Sequence, residues 1–147
     1  MPRIERTEGP AETEGVGARL ASMLAPGDVV LVSGELGAGK TTLIRGALRE
    51  LGVREPVTSP TFTIGRRYRG RVAVSHLDLF RLESLGSEDP GLLDDYLTAD
   101  AIGFIEWPDA AEPLLDSERR VTARVDLVHA GGDEREIRME IDRGGPG

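Results

Sequence analysis

The eight residues Gly34-Glu35-Leu36-Gly37-Ala38-Gly39-Lys40-Thr41 fit the pattern G-x-x-x-x-G-K-[ST] at every fixed position, and few local patterns constrain a fold as tightly. The backbone N–H groups of such a loop must turn inward together, which glycines at 34, 37 and 39 permit. A helix must then begin at once, so that its amino-terminal N–H groups join the same anion site. The flanks agree. Val29-Val30-Leu31-Val32 is an apolar run suited to a buried strand, and Thr42 to Leu51 has the spacing of the following helix. Lys40 is the only lysine, the other seventeen basic side chains being arginine. A lysine is a compact point charge on a thin stem that threads between phosphates, where the wide arginine fork does not. These features predict an α/β chain that binds a nucleotide's phosphates, with Thr41 placed to ligate Mg²⁺.

A chain of 147 residues is long enough for one core, and one domain over 1–147 is expected, with 143–147 a frayed tail. There are no cysteines, which excludes disulfides, thiolate metal sites and cysteine nucleophiles. No apolar run approaches the ~20 residues of a bilayer span, and the amino terminus lacks a secretory core, so a soluble cytoplasmic protein is expected. The net charge of −8 argues against the chain gripping a nucleic-acid backbone by itself, since that affinity comes from neutralising phosphates with Lys and Arg. Any RNA connection should pass through a partner.

The element order reads as helix, strand, helix, then mostly strand, in a mixed sheet. Glu12 to Leu24 has helical spacing, though Gly15 and Gly17 weaken it. Thr61 to Tyr68 and Val72 to Leu77 read as a hairpin about Arg69-Gly70, Leu92 to Leu97 as a short helix, and Ala101 to Glu106 as an apolar strand. Thr122 to His129 and Glu134 to Ile141 form a second hairpin around Gly131-Gly132. Neither terminus shows chemistry.

Hydrolysis needs an acid near the metal and a group that senses the γ-phosphate. Asp78 and Glu106 each end a predicted strand, where open α/β sheets bind their ligands. Either residue suits metal binding or water positioning, and the sequence does not rank them. Thr58-Ser59-Pro60-Thr61-Phe62-Thr63 has the composition of a switch segment, with Thr61 answering the γ-phosphate, or of an ordinary turn. The chain contains neither Asn nor Gln, so an N-K-x-D guanine reader and a water-orienting glutamine are both excluded, and ATP is the favoured nucleotide. His76 reads as a packed histidine, and Arg66, Arg67, Arg69 and Arg71 as a solvated hairpin tip or as contacts for a partner, tRNA phosphate or the nucleotide. Trp107 reads as a reporter of binding or a core anchor.

Taken together the motifs resemble a known family, the small bacterial ATPases of tRNA threonylcarbamoyladenosine biosynthesis called TsaE or YjeE. The residues 34–46 resemble its extended phosphate loop and Ser59-Pro60-Thr61-Phe62-Thr63 its switch. His76-Leu77-Asp78-Leu79-Phe80-Arg81-Leu82 is similar to its H-x-D-L-[YF]-R-L motif, and Ile105-Glu106-Trp107-Pro108 to its E-W-P signature. Phe80 and Asp109 depart from the commoner residues. The resemblance implies a P-loop NTPase-like three-layer fold, with Leu36, Gly37, Ala38, Gly39, Lys40 and Thr41, flanked by Gly34 and Thr42, holding ATP. It implies that Thr41 and Glu106 bind Mg²⁺, that Asp78 acts on the γ-phosphate side, that Arg135 contacts the nucleotide, and that the segment around Thr13 lies near adenine. It further implies weak intrinsic ATPase activity in support of TsaB- and TsaD-like partners, which carry most of the tRNA contacts. A P-loop small-molecule kinase and a non-hydrolysing ATP-dependent sensor are the alternatives.

Overall fold

The computed structural model describes residues 3–35, 37–58, 64–79, 91–110, 115 and 121–141. Seven strands form one sheet: β1 (Arg3–Thr7), β2 (Val29–Gly34), β3 (Gly65–Arg69), β4 (Ala73–Asp78), β5 (Ala101–Glu106), β6 (Ala123–His129) and β7 (Arg135–Ile141). Their order across the sheet is β1-β7-β6-β2-β5-β4-β3. The pairs β2–β5, β2–β6 and β4–β5 are parallel, while β3–β4, β6–β7 and β1–β7 are antiparallel. The fold is therefore α/β with a mixed sheet, as expected from the alternation of element types.

Burial follows position in the sheet. In central β5 every residue is buried, and β2 is buried from Val29 to Val32, which is why both read as continuous apolar runs. In β6 buried Ala123, Val125 and Leu127 alternate with exposed Arg124 and Asp126, the pattern of a strand packed on one face. Helices α1 (Pro10–Ala21) and α2 (Lys40–Glu50) cover that packed face, burying Val16, Leu20, Leu43, Ile44 and Leu48 against Val30, Val32, Phe104 and Val125. On the other face Leu93 of α3 (Leu92–Tyr96) and Leu97 pack on Val29, Leu31, Leu77 and Ile105. The layers are helix, sheet, helix.

Of the two glycines that weakened the first helix, Gly17 has a packing reason. A Cβ on Gly17 would stand 2.0 Å from the carbonyl oxygen of Leu43, and one on Gly46 would stand 2.0 Å from that of Glu14. The two helices thus approach backbone to backbone at reciprocal glycines, closer than any side chain allows. The helix itself begins two residues earlier than its spacing suggested, with Pro10 as its first residue, and ends at Ala21.

One expectation needs correction. The amino terminus carries a strand, so the order begins with β1 and not with a helix. Arg3-Ile4-Glu5-Arg6-Thr7 has too little apolar alternation to announce itself, and Ile4 is 61 % exposed. The strand exists because its backbone completes the free edge of β7. Elsewhere the shifts are small: α2 starts at Lys40, β3 is described from Gly65, and β4 runs to Asp78. The tail 143–147 and residues 61–63 lie outside the described residues. Among the described residues no helix is long and apolar enough to cross a membrane.

Candidate phosphate-binding site

Strand β2 delivers the chain to Gly34, and α2 takes it up at Lys40. Between them Gly34, Gly37 and Gly39 have φ of 148°, 78° and 99°, the left-handed region that side chains resist. Gly39 is the N-cap of α2, so the helix opens directly on the loop. The Lys40 side chain is buried, and its Nζ donates to the carbonyl oxygens of Gly34 and Glu35, both at 2.8 Å. It also stands 4.1 Å from the centroid of the Trp107 ring, within cation–π range. Burial pushes the ammonium below its ordinary pKa, against the opposing pull of Glu106, Asp78 and Asp126.

The two strand-end acids arrive by register. Asp78 closes β4, Glu106 closes β5, and the two are paired across the parallel ladder. Period-two alternation sets Val74, His76 and Asp78 on one face of β4, and Ile102, Phe104 and Glu106 on the same face of β5, beneath α2. Glu106 is buried and accepts from the Thr41 hydroxyl, 3.3 Å from Oε1 and 3.1 Å from Oε2. Its Oε2 also lies 2.5 Å from His76 Nε2. The next residue, Trp107, adopts φ of 54° without being glycine, a strained turn that lays the indole over Lys40.

A cleft of about 270 Å³ joins these parts, lined by Gly37, Gly39, Lys40, Thr41, Thr42, Asp78, Glu106 and Trp107. Its oxygen donors, a hydroxyl and carboxylates, are the hard ligands that Mg²⁺ takes. Among the described residues no group of three or more His, Asp or Glu side chains gathers as a metal cage. A divalent ion here would draw part of its shell from a nucleotide's phosphates, the usual arrangement for Mg²⁺.

Arg135, the first residue of β7, meets the loop from outside. Its Nε donates to Ala38 O at 3.0 Å and its Nη2 to Gly37 O at 3.2 Å, while Nη1 donates to Gly132 O and Glu134 O, each at 2.8 Å. A smaller cleft of about 100 Å³ lies beside it, lined by Thr13, Gly37, Gly39, Thr42, Asp133 and Arg135 among others. Thr13 is fixed there by a 2.8 Å hydroxyl contact with Thr7. A larger cleft of about 480 Å³ includes Ile4, Leu31, Asp126 and Arg138. It gathers neither the loop lysine nor the strand-end acids, so size does not mark the chemistry.

Among the residues singled out from sequence, the structure brings Gly37, Gly39, Lys40, Thr41, Thr42, Asp78 and Glu106 to one cleft, with Gly34 and Ala38 in the loop behind it and Arg135 at its side. Leu36 and Thr61 lie outside the described residues. Three of the four hairpin arginines tie back to their own chain. Arg66 pairs with Glu55 at 3.3 Å, Arg67 donates to Asp95 O at 2.6 Å, and Arg71 donates to Glu50 O at 2.6 Å. The contact of His76 with Glu106 went unread, although counting back two residues from Asp78 puts His76 on the site's face.

Known proteins resemble this chain in sequence and in fold. The family model described as threonylcarbamoyl adenosine biosynthesis protein TsaE matches residues 7–137. A protein of Bacillus subtilis named tRNA threonylcarbamoyladenosine biosynthesis protein TsaE is 41 % identical over 133 residues, covering 90 % of this chain and 81 % of its own length. Its namesake from Streptomyces coelicolor is 42 % identical over 126 residues, covering 84 % of each chain. The crystal structure of Bacillus subtilis YdiB superposes with a TM-score of 0.73 at 31 % identity, over 98 % of this chain and 88 % of that one.

Proposed function

This chain belongs to the TsaE family of tRNA threonylcarbamoyladenosine biosynthesis proteins, and from that premise we propose that it is a Mg²⁺-dependent ATPase of weak intrinsic activity. In this reading it acts in the cytoplasm as a single domain, its turnover supporting TsaB- and TsaD-like partners that carry out the tRNA modification. The observation that carries the reading is the convergence of Lys40, Thr41, Asp78 and Glu106 on one cleft at the mouth of the glycine loop.

Each residue then has a task. The loop from Gly34 through Leu36, Gly37, Ala38 and Gly39 to Lys40, with Thr42 beside it, cradles the phosphates with inward N–H groups. Lys40 leaves the carbonyls of Gly34 and Glu35 and places its charge against the β- and γ-phosphates. Thr41 and Glu106 would hold Mg²⁺, and the ion's chemistry there would be to neutralise charge developing on the transferred phosphoryl group. Asp78, beside Glu106 in the ladder, faces the γ-phosphate and the attacking water, and Thr61 senses that phosphate. Arg135, hydrogen-bonded to the loop carbonyls of Gly37 and Ala38, is assigned the edge of the nucleotide.

Weak turnover follows from what the cleft lacks. Without Asn or Gln in the chain, no side-chain amide orients the water, and no arginine lines the cleft among the described residues. Partner docking would order the site and raise the rate. The charge of −8 leaves most tRNA contacts to the partners.

The test combines the purified protein with TsaB- and TsaD-like proteins, tRNA, ATP and Mg²⁺, and measures phosphate release and modified tRNA per enzyme. We expect slow hydrolysis alone, faster hydrolysis in the mixture, and multiple rounds of modification only when this protein is present. Phosphate transferred to an added acceptor would instead make it a kinase, and ATP binding without turnover in the full mixture would make it a sensor.

A further inference from the structure

The His76 side chain is fully buried beneath the cleft, and its nearest polar partner is no backbone carbonyl but Oε2 of Glu106, 2.5 Å from Nε2. The register pairs His76 with Phe104 and Asp78 with Glu106, so the contact runs diagonally across the ladder from one strand to the next. The same oxygen accepts from Thr41 at 3.1 Å. With Glu106 as a carboxylate, which only accepts, the donor in this contact is Nε2–H.

A histidine kept for packing alone would have both ring nitrogens satisfied or would be replaced by an apolar residue of like volume. Here Nδ1 is buried with no hydrogen-bond partner among the described residues, a cost that packing does not explain. The carboxylate explains it. The terminal torsion of a glutamate is soft, and the Thr41 hydroxyl reaches both of its oxygens from a side chain that itself rotates. A donor on a rigid ring seated in the sheet sets the carboxylate plane more firmly.

We propose that His76 is a positioning residue, which by donating from Nε2 to Oε2 holds the Glu106 carboxylate toward the Thr41 hydroxyl in the orientation that receives Mg²⁺. The inference rests on the Mg²⁺–ATP reading above, and ligands of ligands of this kind change metal affinity about 10- to 100-fold when removed.

The test measures Mn²⁺ binding by electron paramagnetic resonance, in the presence of a non-hydrolysable ATP analogue, for the wild-type protein, His76→Leu and His76→Gln. Affinity for the analogue without metal is measured alongside. We expect His76→Leu to weaken Mn²⁺ about tenfold while metal-free analogue affinity stays within about twofold, and His76→Gln, whose amide nitrogen can replace Nε2, to recover most of the loss. Equal Mn²⁺ affinity in wild type and His76→Leu overturns the inference, as does a Gln variant as weak as the Leu variant. Failure of the wild type itself to bind Mn²⁺ with the analogue overturns the ATPase reading instead. A ligand-free arm does not depend on the variants folding: proton–nitrogen correlation spectra of the wild-type imidazole should show Nε2 protonated, and a bare Nε2 sinks the proposal.

Discussion

The Lys40 ammonium lies 4.1 Å from the centroid of the Trp107 ring while donating to the carbonyls of Gly34 and Glu35 at 2.8 Å. The loop's cation is thus engaged by its own chain, and an incoming phosphate must outcompete those contacts. Trp107 is the only tryptophan, so its emission should change saturably as Mg²⁺–ATP draws Lys40 from the ring. Fluorescence titration checks this, with calorimetry giving the saturation point independently. An unchanged spectrum at full occupancy would contradict it.

Lys40→Ala removes a charge-assisted donor worth about 1.5–3 kcal/mol. Nucleotide affinity should fall about 10- to 150-fold, measured by calorimetry, with ATP turnover lost in parallel. Normal ATPase activity in this variant would refute the loop assignment.

Glu106 touches Thr41, whereas Asp78 stands one strand further out. Glu106→Gln should therefore raise the Mg²⁺ concentration needed for half-maximal turnover, and Asp78→Asn should lower kcat with little movement of that midpoint. Magnesium titrations of both variants separate the two roles, which the sequence left open, and circular dichroism should show both folds intact.

Arg135 draws the carbonyls of Gly37 and Ala38 outward, and in a planar peptide the N–H that follows each carbonyl points the opposite way. Arg135→Met should loosen that arrangement even without nucleotide. Hydrogen exchange at Ala38 and Gly39 should quicken in the ligand-free protein, and nucleotide affinity should fall. If only the affinity falls, the arginine acts on the nucleotide alone.

Gly46→Ala places a methyl 2.0 Å from the Glu14 carbonyl oxygen, and backbone cannot swing aside as a side-chain tip can. A loss of about 1–3 kcal/mol is expected, or roughly 4–12 °C in Tm. Calorimetric melting measures it, and an unchanged Tm would show that the helices can slide apart freely.

Much of the sheet could be read from sequence because β2 and β5 sit between covered faces and carry unbroken apolar runs, while β6 shows clean alternation. The glycine loop opening onto α2 was legible because its glycines answer local geometric demands. What escaped was set by partners distant along the chain. β1 has almost no apolar signal and exists through pairing with β7. Gly17 reads locally as a poor helix former, and only the neighbouring helix gives it a purpose. The bond from His76 to Glu106 spans 30 positions and depends on a register that no single segment encodes.

Within the β1–β7 ladder Thr7 stands directly opposite Arg135, and its hydroxyl meets Thr13 on α1. The first few residues therefore buttress the arginine that clasps the glycine loop. Shortening the chain by half a dozen residues, or crowding its start with a bulky fusion, would be felt at that loop and not merely at a loose end.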